Sequence, residues 1–196
     1  MIANHIHDAL GQVRKMQELI LAKRNFCGYS GTARALGGVS ALAGAVFIYC
    51  LPVVHNPNSY LLVWGIVLCI SLILNYGALC WWFFFDREVK RDMRKLLPAV
   101  DALPALGVGA ILTVALVFNH QYGLLFGTWM TLYGLVHFSY RTSLPGANCV
   151  VGLFYMLCGA VSLFGFNDFY NPWPMGITFF IGEFLGGLIL RRNSNA

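Results

Sequence analysis

The chain has 196 residues, of which 58% are hydrophobic and only 11% charged, with a mean hydropathy of +0.67 and a formal net charge of +5. Soluble globular chains are far less apolar, so the composition excludes a soluble domain and indicates an integral membrane protein. Nucleic acid is not expected as a partner, because membrane topology accounts for every cation and the basic runs carry no aromatic platform.

The chain opens with "IANHIHDALGQVRKMQELILAKRNF", in which Ile2, Ile6, Ala9, Val13, Met16 and Ile20 recur at alternating steps of four and three, and Leu10 and Leu19 widen the stripe. This predicts one amphipathic helix. Gly11 in its interior costs about 1 kcal/mol against alanine, so a packing surface is expected to hold it. That surface is either the protein's own inner face with the lipid headgroups, or a second subunit or partner. The turn "CGYSGTAR" leads into the first span.

Six apolar stretches are long enough to cross a hydrocarbon layer of about 30 Å at about 1.5 Å per residue: about 35–54, 60–85, 102–119, 123–140, 148–166 and 173–190. Their runs are continuous and not alternating, which argues for helices over a barrel. The first begins too late and runs too long to be the apolar region of a cleaved secretory signal, so no removable targeting segment is expected. Within it, the glycine spacing and closing proline of "ARALGGVSALAGAVFIYCLP" resemble one helix of a bacterial family of six-helix acid-resistance membrane proteins. That likeness covers this helix alone.

Orientation follows from the cations. Arg14, Lys15, Lys23, Arg24 and Arg34 precede the first span, Arg87, Lys90, Arg91, Arg94 and Lys95 follow the second, Arg141 follows the fourth, and Arg191 and Arg192 follow the sixth. The opposite loops "HNPNS", "HQY" and "NDFYN" carry none, which predicts both termini on the cytoplasmic side. The loop "DREVKRDMRKLLPAVDALP" reads as a short surface helix drawn to anionic lipid. Short outer loops make the chain three consecutive hairpins. Aligning Gly65, Gly127 and Gly176 on the returning helices suggests a parallel repeat that places Asn75 and His137 at one offset and Glu183 on the same face.

Glu183, in "TFFIGEFLGG", is the principal puzzle. By helix rise it lies about 12 Å inside the boundary marked by Arg191, with His137 about 6 Å in and Asn75 about 16 Å in. A carboxylate at such depth is costly unless protonated, hydrogen-bonded or hydrated. Asn75, Tyr133 and His137 are the donors expected near it, and Gly186 and Gly187 on its face indicate a closely approaching helix. On the other side, His55, His120 and Asp168 supply one potential metal ligand per outer loop. Tyr60, Tyr122, Tyr170 and Trp173 fit an aromatic belt, and Asn56-Pro57 and Asn171-Pro172 fit helix starts. The six cysteines have no metal-like spacing and read as small core residues. No nucleotide, zinc-hydrolase or Ser/His/Asp motif is present, and the sequence names no cofactor.

The expected fold is all-α: a polytopic membrane protein with six transmembrane helices over residues 31–196, a basic cytoplasmic loop at 86–101, and a cytoplasmic amphipathic helix and turn over 1–30. The expected location is a bacterial-type inner membrane. The expected function is that of a non-catalytic component, a scaffold or partner subunit, docking a protein partner or another copy of itself through Ile6, Val13, Met16, Ile20, Arg91 and Arg94. The rival is a small-solute or proton-linked transporter using Glu183, His137, Asn75 and Tyr133, and the third class is an intramembrane enzyme.

Overall fold

A computed structural model of the chain describes residues 10–17, 28–51, 56–86, 96, 100, 102–140, 144–165 and 168–194, and contains no strand among them. Residues 10–17 are helical and exposed throughout. Six longer helices follow: α1 (Gly31–Cys50), α2 (Pro57–Phe85), α3 (Leu103–Phe118), α4 (Leu125–Ser139, entered through a 3-10 turn at Tyr122–Leu124), α5 (Asn148–Phe164) and α6 (Trp173–Ser194). By length and composition α1, α2 and residues Trp173–Arg192 of α6 are able to cross a membrane. The other three have 16, 15 and 17 residues, and of these α3 and α5 are apolar.

Local chemistry sets the helix starts. The Ser30 hydroxyl accepts from the Ala33 amide at 3.3 Å, so α1 begins four residues before the apolar run suggests and takes Arg34 into its first turn. Asn56 caps α2 through the Asn58 amide at 3.0 Å, with Pro57 at the first helical position. Asn171 accepts from the Trp173 amide at 3.2 Å at the head of α6. Between α3 and α4 the chain reverses at His120, whose φ of 57° is left-handed and unusual for a residue with a side chain.

Consecutive helices pair as α1–α2, α3–α4 and α5–α6, but the most extensive seams join different hairpins: α1 with α6 and α4 with α5. Both are antiparallel and set by small residues. Gly31, Gly38 and Ala45 of α1 meet Gly187, Phe180 and Gly176 of α6, while Gly127 and Gly134 of α4 meet Gly159 and Gly152 of α5. Backbones approach closely where side chains are missing. The aligned glycines of the apparent repeat do not share a role, because Gly127 packs on α5 and Gly176 on α1 whereas Gly65 faces open space.

The seams run in the order α2–α1–α6–α5–α4–α3, with α4 also touching α6, and so describe an incomplete ring. Its ends, α2 and α3, share no comparable seam. One end of the bundle is packed by Ala102, Val136 and Tyr140 with Tyr29, and is called the Tyr29 end below. At the other, Phe169 gathers Tyr60, Tyr122 and Phe126 at ring separations of 5.7, 5.7 and 5.2 Å. Tyr60 is thereby buried in a core cluster and does not stand in a surface belt. The cysteines also depart from expectation: Cys50, Cys69 and Cys80 are exposed on helix surfaces, Cys149 and Cys158 are half-buried, and all five are unpaired.

Candidate functional site

Glu183 is buried, 4% exposed, and it is not alone. Arg34 of α1, 6% exposed, meets it with Nε at 3.3 and 3.2 Å from the two carboxylate oxygens and Nη2 at 3.3 Å from Oε1. The Tyr155 hydroxyl donates to Oε1 at 3.1 Å. Arg34 Nη1 donates to Asn148 Oδ1 at 2.8 Å, and Arg34 Nη2 contacts His137 Nε2. A guanidinium only donates, so Nε2 of His137 accepts; Nδ1 then carries the proton and donates to the Tyr133 carbonyl at 2.8 Å. This geometry holds the imidazole neutral in one tautomer.

The residues around Glu183 explain why the group assembles here. A methyl on Gly186 would overlap the Arg34 guanidinium, one on Gly182 the Tyr155 hydroxyl, one on Gly38 the Glu183 side chain and one on Gly152 the stem of His137. Each polar side chain thus lies in space left by a glycine of a neighbouring helix. In "GEFLGG" the glycines before and three after the carboxylate seat Tyr155 and Arg34, both of which hydrogen-bond to it. A charge pair at this burial is tolerable only with such geometry, since removing one partner of a buried pair typically costs about 3–5 kcal/mol.

The cluster faces a cavity of about 270 Å³ that extends from Tyr29, Tyr140 and Leu144 to Phe126 and Phe169. Apart from the cluster its lining is mainly apolar and aromatic. Two buried donors on its wall, Asn148 Nδ2 and Trp64 Nε1, have no hydrogen-bond partner among the described residues. Trp129 Nε1, by contrast, donates to Thr113 Oγ1 at 2.9 Å.

Of the residues singled out from sequence, Glu183, His137 and Tyr133 come together, the Tyr133 ring lying 5.1 Å from both His137 and Tyr155. Asn75 lines the cavity but donates to the Ser71 carbonyl of its own helix at 2.9 Å. Arg34, Asn148 and Tyr155 are the additions. Arg34 reads as a boundary cation in the sequence, and the signal that relocates it is Ser30, whose capping position starts the helix before the arginine. Asn148 is the one polar side chain opening the apolar run of α5; nothing separates Tyr155 from other apolar-helix tyrosines.

At the Phe169 end, Asp168 Oδ1 accepts from the Tyr170 amide at 2.9 Å and His120 Nδ1 stands 3.5 Å from the Tyr122 hydroxyl, while His55 lies outside the described residues. No group of three or more metal-binding side chains gathers among the described residues. Val13 and Met16 are exposed on the 10–17 helix; Ile6, Ile20, Arg91 and Arg94 lie outside the described residues. Comparison with protein-family models, with curated proteins and with solved structures finds no match, so the functional reading rests on the site.

Proposed function

We propose that the chain is an integral protein of a bacterial-type inner membrane, with six spans and both termini cytoplasmic, that binds a small molecule inside its helix bundle in the manner of a carrier. The observation that carries this reading is the cavity of about 270 Å³ with the buried Arg34, Glu183, His137 and Asn148 group in its wall. Ligand sites are concave and mostly apolar, with a few convergent polar groups. The six-span reading is supported by the apolar character of α3 and α5 beside the three long helices and by the one-sided cations, which favour a cytoplasmic Tyr29 end.

With its carboxylate already facing a guanidinium, the cluster suits recognition better than proton carriage. The test is to purify the full chain in native lipid particles and identify the compounds it retains by mass spectrometry. Gly65 lines the cavity and a side chain built there meets no atom within 4 Å, so Gly65→Phe is expected to fill space without disturbing the fold. A retained compound that disappears in Gly65→Phe supports binding; identical extracts from both proteins refute it.

A second reading, docking of a protein partner or another copy of the chain, draws support from Leu10, Val13 and Met16, which are 60%, 48% and 60% exposed on one helix. Deleting residues 1–25 is then expected to abolish co-purification of that partner. Unchanged co-purification removes this reading.

A further inference from the structure

Asn148 is 2% exposed, and its orientation is fixed because Oδ1 accepts from Arg34 at 2.8 Å. Its Nδ2 is therefore a committed donor on the cavity wall with nothing to donate to among the described residues. Trp64 Nε1 is in the same condition. Buried donors are rarely left unpaired, because desolvating one without compensation is costly. The two are far apart. Trp64 lies beside Val63 and Val67, which flank Gly44, and Gly44 is ten residues along α1 from Arg34, or about 15 Å by helix rise.

Charge narrows the chemistry further. Arg34 and Glu183 cancel, and His137 is neutral in its contacts. An anion would compete with Glu183 for Arg34, and a cation would stand beside the guanidinium. An uncharged oxygen acceptor meets neither opposition. Between the two donors the wall is largely apolar, with Leu68 and Leu72 of α2 and Leu106 of α3, interrupted by Ser71 and Asn75, which are engaged with the Ser40 hydroxyl and the Ser71 carbonyl; α2 and α3 share no extensive seam.

We infer that the cavity binds an elongated, uncharged, lipid-like molecule with acceptor oxygens near both ends, one taken by Asn148 Nδ2 and the other by Trp64 Nε1. The inference rests on the binding reading above and specifies its ligand class. An apolar chain fills the wall between the donors, and the gap between α2 and α3 connects the cavity with the acyl region of the bilayer.

The test uses the full chain in lipid vesicles and a diazirine-bearing 1,12-dodecanediol, whose extended chain is of the required length. Labelling is expected at Leu68 and Leu72, and unlabelled 1,12-dodecanediol should displace it. 1-Dodecanol, with one oxygen, should displace about tenfold more weakly, as expected for the loss of one hydrogen bond. Dodecanoate and dodecylamine should be weaker still. Trp64→Phe keeps an aromatic ring at the position and removes the donor, and should bring the diol down to the level of 1-dodecanol. Equal displacement by diol and mono-alcohol in the unaltered protein, stronger displacement by dodecanoate, or label confined to the outward ridges at Ile73 and Ile111 would each overturn the inference. If the diol fails while native purification yields another compound that Gly65→Phe excludes, the ligand class falls and the binding reading stands; if neither binds, both fall.

Discussion

Along α1 and α6, 44% and 33% of the apolar windows are buried within the protein, whereas along α2 the share is 6%. The difference follows from what each seam holds. Between α1 and α6 a charge pair must be kept dry and fully hydrogen-bonded, which demands close backbones and leaves little slack. The side of the bundle made by α2 and α3 holds no charge pair among the described residues; α2 buries only Tyr60, Leu79 and Phe83, and α3 only Gly109. One side is a lock of polar contacts; the other is an apolar wall whose outer face is left to the surrounding medium.

Five substitutions, two of them combined, break or sharpen this contrast. The largest effect is expected from Arg34→Leu, which strands Glu183 and should lower stability by about 3–5 kcal/mol, while Arg34→Leu with Glu183→Leu should recover much of the loss. Thermal unfolding of both proteins in the same detergent checks this. Tyr155→Phe removes a neutral donor from the carboxylate and should cost about 1.5–3 kcal/mol in denaturant titration. Gly186→Ala pushes a methyl into the guanidinium and should cost about 1–3 kcal/mol, read in the same titration. Gly65→Ala, the same change on the open wall, should stay within about 1 kcal/mol of the unaltered protein and tend to stabilise through helix propensity. Similar losses at Gly186 and Gly65 would erase the distinction between the two sides.

Much of the architecture was legible because continuous apolar length is a strong signal. The helix starts at Asn56-Pro57 and Asn171-Pro172 were readable for a different reason, since an asparagine before a proline readily satisfies an amide two residues on, a contact set by local sequence alone. The cluster was half legible. Glu183 stood out by its cost, and the adjacent glycines indicated a close helix, but its partner was hidden among the boundary cations. Position within a span is read from apolar length, and Arg34 lies at the edge of that length; the helix itself starts earlier, at a serine cap whose effect is local. Asn75 was legible in part: it lines the same cavity, but a polar side chain in a helix can satisfy itself on the carbonyl four residues back, as Asn75 does, instead of reaching Glu183. Which helices are neighbours was not legible either, because hairpin order says nothing of the longer-range pairing of α1 with α6.

The length of α2 has a mechanical consequence. Its 29 residues measure about 43 Å, some 13 Å more than a typical hydrocarbon layer. In the six-span arrangement the excess is absorbed by tilting, or by the final Trp81–Phe85 stretch riding in the headgroup zone, where such rings are at home. α2 is held along α1 and, at the Phe169 end, through Tyr60 against Phe169 and Trp64 against Phe126, whereas Phe84 and Phe85 at its far end are exposed. In that arrangement a thinner bilayer is expected to increase the lean of α2 about its Phe169 end, which vesicles of shorter acyl chains would test without touching a single residue.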